Sequence, residues 1–176
     1  VIRINKVNGS SQNLNKINSW SPELFTKGHR NPQGMAINPT TNEIWVNEHG
    51  PKGGDEINII KLGKNYGWPI VTFGEEYWGG KVGQGITTLK GFEDPIWYWV
   101  PSIAPSGMTF YDKNMFPEFK GNLLVSSLKF KSIYLVELKD GMPTKEKVLF
   151  KNRFGRIRDI EQLKDGSILL ISDEKK

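Results

Sequence analysis

One short pattern occurs three times in this chain, and it constrains the fold more than any other feature. A strand-like run is followed by a polar turn and then by a second apolar run, and the copies start at Gly34, Gly107 and Asp159, 73 and 52 residues apart. A repeat of about 50 residues with about four strands per unit is typical of a β-propeller blade. The longer first interval leaves room for an insertion, and the segment 65–94, rich in glycine and aromatic residues, is the natural candidate.

The remainder of the chain has the same character. No segment longer than about 12 residues shows the 3.6-residue period of an amphipathic helix. Most apolar runs are four to seven residues long and are bounded by Gly, Pro, Asn or Asp, in a chain with 19 Gly and 10 Pro. Such runs predict short strands joined by tight turns, and therefore an all-β protein. The predicted strands are 1–4, 34–37, 43–46, 56–60, 108–111, 122–127, 132–138, 147–150, 158–162 and 167–172.

The length of the chain limits how much of a propeller it can form. Propellers typically close into rings of four to eight blades, whereas 176 residues hold about three and a half. Such an array leaves an open blade face at each end, which is unfavourable without further structure to cover it. No composition shift marks an internal domain boundary. We therefore expect residues 1–176 to be one partial propeller within a longer protein.

Composition excludes several classes of function. The absence of cysteine rules out disulfide scaffolds, thiolate zinc sites and cysteine nucleophiles. No run of 18 apolar residues is present, so no membrane-spanning helix is predicted. The net charge is +5, but the basic residues are scattered along the chain, and no nucleic-acid partner is expected.

A glycine-rich loop carries the densest set of polar groups. Residues 47–56 read Asn-Glu-His-Gly-Pro-Lys-Gly-Gly-Asp-Glu and lie between two predicted strands. Calcium prefers six to eight oxygen ligands, which carboxylates and main-chain carbonyls supply, and this loop offers both. Its spacing is not that of an EF-hand. The alternative is an inter-strand turn whose acidic residues are simply solvated.

Basic residues precede several of the predicted strands. Arg30, Lys129 and the pair Arg156 and Arg158 stand where a propeller lines its axial channel. Arg156 and Arg158 alternate along one strand and should project from the same face. Because arginine pairs well with planar carboxylates, the set would suit a small polyanion. The alternative is a group of solvated surface cations.

Aromatic residues and histidines leave further alternatives open. Trp97 and Trp99 alternate beside a proline and would either form a sugar-stacking rim or pack in the core, and core packing is the preferred interpretation. His29 and His49 are the only histidines, and we expect both to have structural roles.

Five motifs then occur in a fixed order: Gly-His-Arg-Asn-Pro-Gln-Gly at 28–34, Glu-His-Gly-Pro-Lys-Gly-Gly-Asp-Glu at 48–56, Asn-Tyr-Gly-Trp-Pro at 65–69, Pro-Ser-Ile-Ala-Pro-Ser-Gly-Met at 101–108 and Arg-Ile-Arg-Asp at 156–159. Together they closely resemble the soluble quinoprotein sugar dehydrogenases, a family of aldose and glucose dehydrogenases that use pyrroloquinoline quinone (PQQ). The resemblance runs from about residue 1 to residue 173.

This resemblance implies a six-bladed propeller with PQQ over the axial channel and calcium beneath it. It assigns cofactor contacts to Arg30, Asn31, Tyr77, Lys129, Arg156 and Arg158. It also implies that the carbonyls of Gly50 and Pro51 hold the catalytic calcium, with Asp55 beside it, and that Glu56 and Tyr66 bind a second, structural calcium.

By the same resemblance, the whole enzyme oxidises the anomeric hydroxyl of an aldose such as glucose to a lactone and passes the electrons to an external acceptor. Such enzymes are periplasmic or secreted. The family's histidine base and a quinone-contacting glutamine would precede Val1, so we expect no catalytic residue in this chain, which would need the N-terminal half of the propeller for activity. The alternative is a non-catalytic propeller that binds carbohydrate or protein, because one fold hosts many functions.

Overall fold

The structure is a computed structural model that describes residues 1–11 and 20–173. It contains ten strands and one short 3-10 helix, Pro117–Phe119. The strands are β1 Pro32–Ile37, β2 Ile44–Glu48, β3 Asp55–Ile60, β4 Trp97–Trp99, β5 Pro105–Tyr111, β6 Asn122–Ser127, β7 Ser132–Lys139, β8 Met142–Leu149, β9 Ile157–Gln162 and β10 Ile168–Ser172. Within these ranges no helix is long and apolar enough to cross a membrane.

The strands form three antiparallel sheets in chain order. Two sheets have four strands, β1-β2-β3-β4 and β5-β6-β7-β8, and the third pairs β9 with β10. Each four-stranded meander is one propeller blade. The described strands thus make two blades and half of a third, where about three and a half were expected, and the N-terminal segment adds isolated bridges such as Ile2 with Leu24.

The first strand of each sheet lies on the inside of the array, and these inner strands run in the same direction. Gly34 of β1 lies against Ser106 of β5, Ser106 Oγ donates a hydrogen bond to the Ile157 carbonyl of β9 at 2.6 Å, and the Asp112 amide donates to Gln162 Oε1 at 2.7 Å. Residue numbers rise together along β5 and β9, so the starts of the inner strands meet at one end of the molecule.

Apolar residues fill both spaces between the sheets. Because side chains alternate along a strand, Leu123 and Val125 of β6 pack toward the first sheet, whereas Leu124 packs toward the third. All three are buried, which explains why β6 reads as a continuous apolar run. The middle blade is therefore covered on both faces.

Trp97 and Trp99 are part of the contact between the first two blades. Trp99 is buried, and its Nε1 donates to Glu146 Oε2 at 2.6 Å, while Trp97 Nε1 donates to the same oxygen at 3.3 Å. Both rings pack in the apolar core between these sheets. Both tryptophans therefore pack in the core, which is the alternative preferred from the sequence.

This shared carboxylate gives a test of how the blades hold together. Replacing Glu146 with Ala leaves the buried indole N–H of Trp99 without its acceptor, and we expect a loss of about 1–3 kcal/mol in the free energy of unfolding. Urea denaturation would measure it, with Glu161→Ala at an exposed position as the control. Equal stability of the two variants would show that the inter-blade bonds contribute nothing.

Candidate functional site

The residues singled out in the sequence gather where β1, β5 and β9 begin. Strand pairing brings the loops together, because the start of each inner strand is opposite the end of its neighbour: Pro32 pairs with Glu48, Pro105 with Ser127 and Ser172 with Ile157. The loops before β1 and β9, after β2 and after β6 consequently share one end of the blades. This end carries Arg30, Asn31, Gly50, Pro51, Lys129, Arg156 and Arg158.

A buried carboxylate joins two of these loops. Asp55 is fully buried and accepts hydrogen bonds from the Gly50 amide at 3.0 Å, from the Ile103 and Ala104 amides at 2.7 and 2.8 Å, and from Ser102 Oγ at 2.6 Å. These donors satisfy the hydrogen-bonding capacity of the buried carboxylate. Asp55 thereby fixes the main chain at Gly50 relative to the segment that leads into β5.

The Arg30 guanidinium lies across the loop after β2. It donates to the carbonyls of His49 and Gly50 at 3.2 and 2.9 Å and to the Tyr77 hydroxyl at 3.2 Å. Its planar group also lies over the Trp68 ring, 5.3 Å from the centroid. The structure therefore brings Arg30 into direct contact with the Gly50 carbonyl, which is predicted to bind calcium, and brings Tyr77 into contact with Arg30.

Asn31 stands beside His49. The His49 ring has Nε2 2.6 Å from the Pro105 carbonyl; since a carbonyl only accepts, Nε2 carries the proton. The other ring nitrogen lies 3.5 Å from Asn31 Nδ2, and Asn31 Oδ1 accepts from Gln33 Nε2 at 2.9 Å. His49 is thus tied to the fold by the main chain of the next blade.

The other histidine forms a buried pair with Glu48. His29 Nδ1 lies 2.8 Å from Glu48 Oε1, and both side chains are about 95% buried. The His29 ring stacks on Tyr66 with 4.6 Å between centroids, and its Nε2 lies 2.9 Å from Thr26 Oγ1. These contacts hold the His29 ring within the fold at both nitrogens and across one face.

A surface pocket of about 490 Å³ opens among the same loops. Pro51, Tyr77 and Lys129 line it, together with Phe73, Val100 and Ser102. One predicted calcium-binding residue and two predicted cofactor residues therefore face a single cavity. The Lys129 ammonium, on an exposed side chain, supplies a positive charge at its wall.

The arginine pair of β9 stands at the same end but has its own acidic partner. Arg158 Nε donates to Asp173 Oδ2 at 2.6 Å, and Arg156 Nη1 lies 3.6 Å from the same oxygen. The shared partner shows that both side chains project from one face of the strand. Both are exposed, and neither lines the pocket of Tyr77 and Lys129.

A second, very small cavity lies beneath the loop after β2. Its volume is about 10 Å³, room for one water molecule or one ion. Glu48, Glu56, Tyr66 and Thr72 are among its lining residues. Carboxylate and carbonyl oxygens around a space of this size match the ligand chemistry of a hard cation.

Glu56 lines the small cavity, where its carboxyl group is removed from solvent. Burial, reinforced by the nearby charges of Glu48, Asp55 and Asp94, raises the pKa of Glu56 to about 8, although the Asn58 amide partly offsets this. Asn58 Nδ2 donates to both Glu56 and Glu48, and its buried Oδ1 has no hydrogen-bond partner in the structure. Two carboxyl groups therefore meet at Asn58, and the surroundings favour the protonated form of Glu56.

The Tyr66 side chain is already used by the fold. Its hydroxyl donates to the Ile59 carbonyl at 2.6 Å and accepts from the Lys61 amide at 2.9 Å, and burial raises the pKa of Tyr66 to about 12. A ligand role for Tyr66 would therefore fall to its main-chain carbonyl. Within residues 1–11 and 20–173, no group of three or more His, Asp or Glu side chains is placed to hold a metal, so the predicted ligand sets depend on carbonyl oxygens.

The buried Glu56 gives the protein a testable pH dependence. Because folding raises its pKa from 4.5 to about 8, the folded state holds this proton more tightly than the unfolded state. The resulting stability is complete below the ordinary pKa and is lost as the pH rises through about 8. In the presence of a chelator, we expect the melting temperature to fall between about pH 5 and about pH 9, and to fall less in Glu56→Gln.

The control for this measurement is Glu93→Gln. Lys64, followed by Lys61, lowers the pKa of the half-buried Glu93, so its contribution changes only at more acidic pH and the control should keep the parent's slope. If Glu56→Gln also keeps that slope, Glu56 is not the titrating group.

The sequence is similar to proteins of one known family. The family model Glucose / Sorbosone dehydrogenase matches residues 1–176. The aldose sugar dehydrogenase YliI of Escherichia coli K12 is 42% identical over 153 residues, which are 86% of this chain and 41% of that protein. The sequence therefore spans less than half of this relative.

Solved structures agree with the sequence match. A glucose dehydrogenase crystal structure superposes with a TM-score of 0.91 at 38% identity, covering 98% of this chain and 51% of the other. The PQQ-bound aldose sugar dehydrogenase of Streptomyces coelicolor superposes with a TM-score of 0.65 at 25% identity, covering 90% of this chain and 41% of the other. The predicted all-β, partial-propeller fold is confirmed, and the chain belongs to the glucose/sorbosone dehydrogenase family.

Proposed function

We propose that the complete protein is a sugar dehydrogenase that uses PQQ and calcium to oxidise the anomeric hydroxyl of aldoses such as glucose to lactones. The observation that carries the proposal is the pocket of about 490 Å³ into which Pro51, Tyr77 and Lys129 converge. Family membership and a PQQ-bound relative support it. The chain spans about half the length of such proteins, so the activity is assigned to the complete protein.

The pocket has room for an aromatic tricarboxylate such as PQQ, and its lining carries two lysines, Lys52 and Lys129, against one carboxylate, Glu75. Lys129 offers a cation at the wall, and Tyr77 links the pocket to the Arg30 guanidinium through its hydroxyl. Asn31 lies directly before β1, beside His49.

Arg156 and Arg158, at the start of an inner strand, would exchange their contact with Asp173 for carboxylates of the quinone. The quinone, when bound, accepts hydride, and calcium serves it as a Lewis acid.

The proposed calcium ligands are main-chain carbonyl oxygens and one carboxylate. The carbonyls of Gly50 and Pro51 would hold calcium beside the pocket, and Asp55 fixes the loop that carries them by accepting from the Gly50 amide. A carbonyl oxygen has two lone pairs, so Gly50 accepts from Arg30 and still has capacity for an ion. Glu56, with the Tyr66 carbonyl, would hold the second calcium at the small cavity.

In this proposal the chain binds and orients the quinone and the calcium ions, but it does not supply the catalytic base. His29 and His49 both have their ring nitrogens against partners within the fold. Removing the proton from the sugar hydroxyl needs a positioned base, which we assign to the N-terminal half of the propeller. The 176-residue chain alone is accordingly proposed to be inactive. Electrons would leave to an external acceptor, and the proposed location is periplasmic or extracellular.

Dye reduction tests the proposed function directly. The complete protein, incubated with PQQ, calcium and an aldose such as glucose, should reduce an artificial electron acceptor and release a lactone. Omitting PQQ, or replacing calcium with a chelator, should abolish the signal. A protein that binds sugar but never reduces the dye under these conditions would instead be a binding module.

The arginine pair gives a second measurement, by quinone titration rather than turnover. Charge-assisted hydrogen bonds are worth about 1.5–3 kcal/mol, so Arg156→Ala and Arg158→Ala should each weaken PQQ affinity about ten- to a hundredfold. Lysine should rescue only in part because it lacks the bidentate geometry. Arg3→Ala, far along the chain from these loops, is the control. Parent-like titration curves for both alanine variants would make the pair a surface ion cluster with Asp173.

A further inference from the structure

Two loops of the candidate site hold each other through reciprocal hydrogen bonds. The side chain of Glu48 accepts from the main-chain amide of Arg30 at 2.6 Å, and the side chain of Arg30 donates to the carbonyls of His49 and Gly50. The His49 amide also donates to the Asn31 carbonyl at 3.0 Å. Neither loop can move without breaking bonds to the other.

Glu48 is the buried centre of this arrangement. It is the last residue of β2 and is 4% exposed. In addition to the Arg30 amide, its carboxylate faces His29 Nδ1 at 2.8 Å and Asn58 Nδ2 at 3.1 Å. A carboxylate is an acceptor only, so these three donors depend on it. Replacing one carboxylate oxygen with an amide NH₂ group would place two hydrogen-bond donors against each other in a buried site.

His29 fixes where that carboxylate lies. Its ring has Glu48 on one side and Thr26, which is fully buried, on the other. Its face stacks on Tyr66 at an interplanar angle of 22°. The imidazole is therefore held at both nitrogens and across one face. It connects Glu48 to Tyr66, which lines the small cavity.

We propose that Glu48, oriented by His29, is a positioning residue that couples the position of the quinone site to the position of the calcium-binding carbonyls. This inference rests on the proposed function, in which Arg30 and Asn31 contact the quinone and Gly50 and Pro51 hold calcium. Through Glu48 the position of one pair sets the position of the other. Loosening Glu48 should then weaken both ligands together, whereas a residue serving one ligand would weaken one.

The test compares Glu48→Gln with the parent in the complete protein. PQQ affinity is measured by absorbance titration at saturating calcium, and calcium affinity by calorimetry without the quinone. We expect both dissociation constants to rise about tenfold. Amide hydrogen exchange of the peptide containing Arg30 and Asn31, measured without either ligand, should become faster. Glu43→Gln is the control, because its carboxylate bonds only within its own turn in the structure, to Thr41.

His29→Phe provides a milder variant that does not rely on Glu48→Gln folding. Phenylalanine keeps the stack on Tyr66 and the buried volume but loses both ring hydrogen bonds. It should raise both dissociation constants in the same direction by a smaller factor. Combined with Glu48→Gln, it should add little, since both changes disrupt the same unit.

The outcomes separate the inference from the function it rests on. Parallel rises in both constants with faster exchange support the positioning role. A lower melting temperature with parent-like constants, or a change in only one constant, overturns it and makes Glu48 a purely structural residue. If the parent protein binds neither PQQ nor calcium, the proposed function fails. Unchanged amide hydrogen exchange at Arg30 in the variants would then overturn the positioning role of Glu48 as well.

Discussion

The close, parallel packing of the inner strands is the constraint on which the rest of the structure depends. At Gly34 an added Cβ would lie 2.4 Å from the Ser106 carbonyl, and at Gly107 it would lie 2.0 Å from Asp159 Oδ1. No side chain fits at either position. Buried Asn47 spans the first contact, accepting from the Gly34 amide and donating to the Ser106 carbonyl. The two glycines thus let adjacent blades approach closely enough for polar groups to bridge them.

Because the inner strands are parallel and the sheets antiparallel, one end of the molecule collects every loop that precedes an inner strand. The functional residues need not be near one another in sequence, and their elements need only begin at that end. Asp55 and Glu48 then convert proximity into fixed geometry. Each is a buried carboxylate satisfied by donors from another loop, so the surface pocket stands on a rigid polar base while its cationic side chains remain exposed.

Alternation and turn residues predicted most of the strands, and the exceptions have physical causes. The three-residue β4 at Trp97–Trp99 is too short to show a period. β8 begins at Met142, ahead of the predicted 147, because it is an edge strand with mostly exposed residues. Residues 1–4 form only bridges. The motifs named the residues of the candidate site, but the contacts of Glu48 reach an amide 18 residues away and those of Asp55 reach donors up to 49 residues away, which local patterns cannot reveal.

In the proposed arrangement, this end of the blades holds a quinone and a cation side by side. A crystal structure of the complete protein grown with PQQ and calcium, with anomalous scattering used to locate the ions, provides the decisive test. We expect quinone density in the pocket lined by Pro51, Tyr77 and Lys129, and an ion at the carbonyls of Gly50 and Pro51. Quinone density elsewhere on the propeller, or an ion bound only by residues outside these loops, would contradict it.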